Sequence, residues 1–155
     1  MKLKSASLLV ALGAAGAMSL AQADGNMLPG TVLPKYTQEC AACHMAYPPG
    51  MLPGASWQRI MAGLDKHYGA DASLDAASVQ QISTWLQANA GTYKRVREAP
   101  PQDRITQSGW FARKHHEVAP EVWKRASVKG AANCMACHAG ADKGDFNEHK
   151  VRIPK

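Results

Sequence analysis

All four cysteines of the chain lie in two copies of one five-residue pattern, and each copy ends in a histidine. The copies are CAACH, from Cys40 to His44, and CMACH, from Cys134 to His138. Two C-x-x-C pairs could form disulfides in an exported protein or close one tetrahedral zinc cage. Neither arrangement accounts for the histidine after each second cysteine. Covalent haem attachment accounts for it, because both thiols add to porphyrin vinyl groups and the next residue then lies beneath the iron.

We therefore predict two haem c groups, each held by thioether bonds and ligated on one side by the histidine of its motif. The predicted attachment residues are Cys40, Cys43, Cys134 and Cys137, and the predicted proximal ligands are His44 and His138. No cysteine is left over, which favours haem attachment over the disulfide and zinc alternatives.

The N-terminus predicts export. Lys2 and Lys4 precede an apolar run over about residues 8–20, and the small-x-small sequence AQA follows at residues 21–23. This order is typical of a cleaved secretory signal, and the apolar run is short for a bilayer span of about 20 residues. We expect residues 1–23 to be a cleaved signal peptide and the mature, soluble chain to be periplasmic.

The spacing of apolar residues predicts an all-α fold with short helices and long loops. One helix follows Pro34, and a second, with an apolar face, is predicted to end at Gly69. A third helix is predicted to start at Asp71 or Ser73 and to end at Gly91. No strand-like alternation of polar and apolar residues is present.

The mature chain has the size of one compact domain or two very small lobes. The polar, proline-rich sequence REAPPQDR is the best candidate for a boundary. We predict an N-terminal haem lobe, residues 24–98, and a C-terminal haem lobe, residues 99–155, each resembling a small cytochrome c.

The formal net charge of +6 overstates the basicity of the mature protein. Two lysines leave with the signal, and haem propionates would subtract further positive charge. No block of Lys and Arg interleaved with aromatic residues is present, so the charge does not indicate nucleic-acid binding.

The second axial ligand of each iron decides which chemistry the iron supports. An iron with one histidine ligand can bind oxygen or peroxide, whereas a second strong ligand leaves electron transfer as the default role. For the first haem, His67 lies beside an apolar helical face, and Met51 and Met61 are rival candidates. For the second haem, His115 and His116 point about 100° apart on a helix, so only one of them can face the iron.

Two stretches of the chain resemble the small dihaem cytochrome c family of proteobacterial periplasms. They are CAACHMAYPPGMLPGASWQRIMAGLDKHYGADASLD and HHEVAPEVWKRASVKGAANCMACHAGADKGDFNEHKVRIP. The proline-rich segment after the first motif, the sequence HYGADASLD and the tail after the second motif are more specific than the CxxCH motifs. The resemblance implies an all-helical, two-lobed protein in which each haem has two histidine ligands.

Carried onto this chain, the resemblance implies two ligand pairs. The first pair is His44 with His67, and the second is His138 with His115. Within the sequence KHHEV, the first histidine is favoured over His116, because the stretch looks like a K-H-x-E-V pattern.

The resemblance also implies redox partners. One is a small, oxygen-binding monohaem c-type cytochrome, and the other, where present, is a membrane cytochrome b that supplies electrons. We therefore interpret the chain as a periplasmic electron carrier and not an enzyme. The alternatives are a dihaem peroxidase or small-molecule reductase, or a gas sensor, each with one open iron. Candidate cations for pairing with propionates or with an acidic partner include Arg59, Lys66, Arg113 and Lys114.

Overall fold

The regular structure of the protein is helical. The computed structural model describes residues 27–155, and the predicted signal peptide, residues 1–23, lies outside them. The α-helices are α1 (Pro34–Cys40), α2 (Gly54–Ala62), α3 (Ala76–Asn89) and α4 (Gly109–Lys114). Nine short 3-10 turns and irregular segments make up the rest of the described chain, which contains no β-strand. The prediction of an all-α fold with short helices and long loops is confirmed.

No helix within residues 27–155 has both the length and the apolarity that a bilayer crossing requires.

Helix α2 is shorter than the sequence predicted. It ends at Ala62, and the N–H of Gly63 donates to the Ile60 carbonyl at 3.1 Å. The chain continues as the 3-10 turn Leu64–Lys66, so the prediction of an end at Gly69 was wrong. The apolar spacing runs on past Gly63, but glycine costs about 1 kcal/mol in a helix interior and favours termination there.

Helix α3 starts later than the sequence predicted. Its N-cap is Asp75, whose carboxylate accepts a hydrogen bond from the Ser78 N–H at 3.0 Å. Asp71 instead accepts from the Ser73 N–H at 2.9 Å, which forms a local turn outside the helix. The prediction of Asp71 or Ser73 as the cap was therefore wrong, because the D-x-S sequence closes a turn on itself before the helix begins.

The main core lies where α1, α2 and α3 meet. Its buried members are Tyr36, Leu52, Trp57, Met61, Ile82 and Leu86. Two of these, Ile82 and Leu86, belong to the apolar stripe that the sequence indicated for α3. The indole N–H of Trp57 donates to the Pro49 carbonyl at 2.7 Å, which fixes the proline-rich loop against α2. This packing places the end of the first attachment motif and the turn after α2 on the same side of the core.

The 3-10 turn Pro101–Asp103 lies against α2. The guanidinium of Arg59 forms an ion pair with the Asp103 carboxylate at 2.6 Å. The Tyr68 hydroxyl donates to the Gln102 carbonyl at 3.0 Å. These contacts join the sequence on both sides of the predicted boundary between residues 98 and 99, and the division into two haem lobes stays a prediction.

Gly91 offers a test of how tightly α3 is joined to the loop before α2. Its N–H donates to the Leu52 carbonyl at 2.8 Å. A Cβ at this position would meet the Val96 side chain and, at 2.5 Å, the Gly50 carbonyl oxygen. We expect Gly91→Ala to lower the free energy of unfolding by about 1–3 kcal/mol, because overpacking forces the backbone apart.

Gly30→Ala is the matched control, because a Cβ at Gly30 meets nothing within 4 Å. Denaturant unfolding of both haem-loaded variants, followed by circular dichroism, makes the measurement. Equal stability of the two variants would contradict the proposed close packing at Gly91.

Candidate haem sites

The first histidine pair joins the first motif to the turn after α2. Cys40 is the last residue of α1, and His44 follows in the next turn of the chain. His67 follows the 3-10 turn Leu64–Lys66. The two imidazole rings lie with centroids 6.1 Å apart and with their planes inclined by 25°. The sequence thus folds so that residues on either side of α2 face each other.

The second histidine pair joins α4 to the second motif. His115 is the C-cap of α4, and His138 closes the motif that begins with the 3-10 turn Cys134–Ala136. The two ring centroids are again 6.1 Å apart, but the planes are inclined by 78°. The chain therefore presents two pairs of facing imidazoles at one common separation and with different twists.

Hydrogen bonds to backbone carbonyls orient one ring of each pair. Nδ1 of His44 lies 2.7 Å from the Met45 carbonyl oxygen, and Nδ1 of His115 lies 2.9 Å from the Phe111 carbonyl oxygen. A carbonyl only accepts, so each Nδ1 donates its proton and each Nε2 keeps a free lone pair. Donation of this kind fixes the ring and raises the basicity of the nitrogen that binds a metal.

Aromatic side chains support the second pair. The Phe111 ring stacks on His115 with centroids 4.0 Å apart and planes inclined by 22°. Trp123 lies 5.8 Å from His115, and Phe146 lies 5.4 Å from His138, between ring centroids. Such packing restricts rotation of both imidazoles and excludes water from the space beside them.

The other candidate ligands lie elsewhere. His116 is exposed, its Nδ1 donates to the Arg113 carbonyl at 2.9 Å, and its Nε2 lies 3.9 Å from Glu117. Met51 is buried in the loop before α2, and Met61 is buried in the main core. The structure thus brings His115, and not its neighbour His116, to His138, and it brings His67 to His44.

Burial and neighbouring positive charge lower the pKa values of two of the paired histidines. Burial lowers the pKa of His67 most, and His44 and Arg104 lower it further. Burial likewise lowers the pKa of His138, with a further contribution from His115. A lowered pKa favours the neutral imidazole, which is the form that can bind a metal.

The cysteines do not form a zinc site. Burial raises the pKa of the Cys40 and Cys134 thiols to about 11, and it also raises the pKa of Cys137. Within residues 27–155, no three His, Cys, Asp or Glu side chains group in a metal-holding arrangement. All four cysteines are free of disulfide bonds, so the arrangement supports neither alternative.

The residues present fit a haem group at each motif. A metal–imidazole bond is about 2 Å long, so two imidazoles on opposite sides of one metal have ring centres about 6 Å apart. Both observed separations equal 6.1 Å. The buried Nδ1 of His138 has no hydrogen-bond partner among the described residues. A haem-bearing site offers the one chemistry that uses all four cysteines and all four paired histidines.

Sequence reasoning missed Tyr47 altogether. Its ring centroid lies 4.9 Å from that of His44, and its hydroxyl donates to the Ala132 carbonyl at 2.7 Å. Burial raises the pKa of Tyr47 to about 12, so the hydroxyl stays protonated. An aromatic residue three positions after a motif histidine was a possible signal, but the contact with Ala132 spans 85 residues and leaves no local pattern.

A helical chain with two C-x-x-C-H motifs, each facing a further histidine across a metal-sized gap, defines a c-type haem protein. A family profile described as dihaem cytochrome c matches residues 36–146. The chain therefore belongs to the dihaem cytochrome c family. It carries two covalently bound haem c groups, as the sequence predicted.

Solved structures agree with this assignment. A diheme cytochrome c from Rhodobacter sphaeroides is 44% identical and matches with a TM-score of 0.66, and the match covers 75% of this chain and 98% of that chain. A second structure from the same organism gives the same identity and coverage and a TM-score of 0.65. A diheme cytochrome type c from Shewanella baltica is 36% identical, with 78% and 92% coverage and a TM-score of 0.69. No curated protein sequence matches the chain. The predicted resemblance to dihaem cytochromes c of proteobacteria is confirmed.

Proposed function

We propose that the protein is a periplasmic electron carrier in which two histidines bind each iron. The ligand pairs are His44 with His67, and His138 with His115. The observation that carries the proposal is the equal ring separation of 6.1 Å in both pairs, in a chain of the dihaem cytochrome c family.

In this function the protein residues fill the axial positions of the iron, set its potential and exclude water. Haem supplies one-electron chemistry when bound, and its axial ligands set its potential. Facing imidazoles would occupy both axial positions and leave none for oxygen or peroxide. Histidine in place of methionine lowers the potential, and the carbonyl bonds from His44 and His115 strengthen both ligands. Phe111 and Trp123 then keep water away from the second pair.

The proposed partners are other redox proteins. The family resemblance favours a small oxygen-binding monohaem c-type cytochrome as acceptor and, where present, a membrane cytochrome b as donor. Of the candidate cations, Arg59 is already paired with Asp103 at 2.6 Å. Lys66 precedes His67 and is exposed, and Arg113 is exposed on α4. These two cations are better placed than Arg59 to attract an acidic partner to either histidine pair.

Location in the periplasm is part of the proposal and rests on the predicted signal peptide. Haem attachment through cysteine thiols also suits an exported chain. The predicted division between residues 98 and 99 gives each lobe one motif and one histidine pair. The contacts of Pro101–Asp103 with α2 cross that division. The rival functions, a peroxidase, a small-molecule reductase or a gas sensor, each require one iron with an open position.

Carbon monoxide tests the proposal directly. We expect the reduced protein to show no prompt change in its Soret band when carbon monoxide is added, because both axial positions are occupied. The dithionite-reduced protein, with its haem content fixed beforehand by pyridine haemochrome, provides the measurement. A prompt, full-occupancy shift at either haem would sink the carrier function and favour an enzyme or a sensor.

Electron paramagnetic resonance of the oxidised protein tests the ligand pairs. The planes of His44 and His67 are inclined by 25°, and those of His115 and His138 by 78°. Nearly parallel imidazoles separate two iron d orbitals widely, whereas nearly perpendicular imidazoles leave them close in energy. We expect two low-spin signals of equal intensity, one rhombic and one of the large-gmax type. A high-spin signal would contradict the pairing, and two identical low-spin signals would contradict the different inclinations of the rings.

The adjacent histidines give a matched pair of substitutions. We expect His115→Ala to turn the second haem high-spin and to let it bind carbon monoxide, because one axial ligand is lost. His116→Ala should leave both low-spin signals intact, because the His116 ring is exposed and its Nδ1 donates to the Arg113 carbonyl and not to a group of the second haem site. Optical and paramagnetic resonance spectra of the two variants make the comparison. The reverse outcome would move the ligand to His116.

A further inference from the structure

The side chain of Tyr47 reaches from the first haem site to the backbone just before the second motif. The ring centroid of Tyr47 lies 4.9 Å from that of His44, with the planes inclined by 32°. The hydroxyl of Tyr47 donates to the Ala132 carbonyl at 2.7 Å. His44 closes the first motif, and Ala132 lies two residues before Cys134, where the second motif begins. Tyr47 thus spans the distance between the two attachment motifs.

The connection continues by a second hydrogen bond. The Ala132 carbonyl also accepts from the Cys134 N–H at 3.1 Å. A carbonyl oxygen has two lone pairs, so it can accept both bonds at once. The Cys134 thiol sulfur lies 3.7 Å from the same oxygen. A continuous series of contacts therefore runs from the His44 ring, through Tyr47 and one carbonyl, to a cysteine of the second motif.

Tyr47 is also held at its backbone. The hydroxyl of Tyr36 donates to the Tyr47 carbonyl at 2.6 Å. Tyr36 is only 2% exposed and packs on Trp85 with ring centroids 4.8 Å apart. The backbone, ring and hydroxyl of Tyr47 are thus each in contact with a different partner, which restricts the side chain to one position.

We propose that Tyr47 couples the two haem sites and carries the route for electron exchange between them. The proposal rests on the proposed electron-carrier function and names the route inside that carrier. An electron that followed this route would oxidise one bound haem by one electron and reduce the other by one electron. Tyr47 keeps its proton and is neither oxidised nor reduced.

The Tyr47 hydroxyl is the group on which the proposed route depends, because it forms the hydrogen bond to Ala132. Electronic coupling falls less steeply across a hydrogen bond than across an empty gap of the same width. Tyr47→Phe keeps the ring against His44 but breaks the link to Ala132 and leaves that gap. Tyr47→Leu removes the aromatic ring as well, so it should weaken the coupling more.

Tyr93→Phe is the matched control. The Tyr93 hydroxyl donates to the Gly50 carbonyl at 2.8 Å, which is the same kind of bond. The Tyr93 ring lies under the guanidinium of Arg95, at 4.8 Å, and not against a paired histidine. Tyr93→Phe therefore removes a similar hydrogen bond and leaves the proposed route unchanged.

The experiment compares the rate of electron exchange between the haems in the half-reduced, haem-loaded proteins. Proton NMR resolves the haem methyl signals, whose line widths and exchange peaks report that rate. We expect Tyr47→Phe to slow the exchange several-fold and Tyr47→Leu to slow it more, while Tyr93→Phe leaves it unchanged. Haem content, both midpoint potentials and both low-spin signals should stay unchanged in Tyr47→Phe.

Three results would overturn the proposal. The first is an unchanged exchange rate in Tyr47→Phe with both haems intact. The second is an equal slowing in Tyr93→Phe. The third is a slowing that comes with an altered low-spin signal of the His44 pair, which would mean that Tyr47 acts only through its neighbouring ligand. Carbon monoxide binding by the unmodified protein would instead contradict the carrier function, and it is measured separately.

Discussion

The common separation of two facing imidazole rings in each pair is the constraint on which the rest of the structure depends. In both pairs the rings stand 6.1 Å apart, although they come from different elements. At the first site, the core beneath α2 fixes the position of the turn that carries His67. At the second site, α4 ends at His115, and the Phe111 carbonyl and ring hold the imidazole that follows. Secondary structure in this protein is short because its main task is to place these four rings.

A small chain with a thin core needs additional links between its parts. The main core has six buried members, and all lie between Tyr36 and Leu86. The part of the chain that carries the second motif is held by aromatic contacts around its histidine pair and by hydrogen bonds such as that from the Arg125 guanidinium to the Pro154 carbonyl at 2.7 Å. Covalent attachment holds one haem at each motif, and the proposed axial ligation would join each motif through iron to His67 or His115. In that arrangement the cofactors would contribute to the fold as well as to the chemistry.

The sequence predicted what depends on covalent chemistry or on helical spacing. The C-x-x-C-H motifs identified the haem groups, because thioether attachment requires that spacing. The stripe of Ile82 and Leu86 identified the buried face of α3. The predicted end of α2 and the predicted start of α3 were wrong, because local competition between a helix and a turn at Gly63 and Asp75 decides both positions. Tyr47 was missed because its hydroxyl bonds to a backbone carbonyl, and any residue type can supply that acceptor.

The bond between Tyr47 and Ala132 joins two neutral groups. Dissolved ions screen attraction between exposed charges, over about 10 Å at 0.1 M ionic strength, but they act weakly on a short neutral bond. The rate of association with an acidic protein at Lys66 or Arg113 would therefore fall as salt concentration rises. The rate of electron exchange between the haems inside the molecule would stay the same. A change in salt concentration would thus alter how often the protein exchanges electrons with an acidic partner, and it would leave the proposed electron route inside the molecule unchanged.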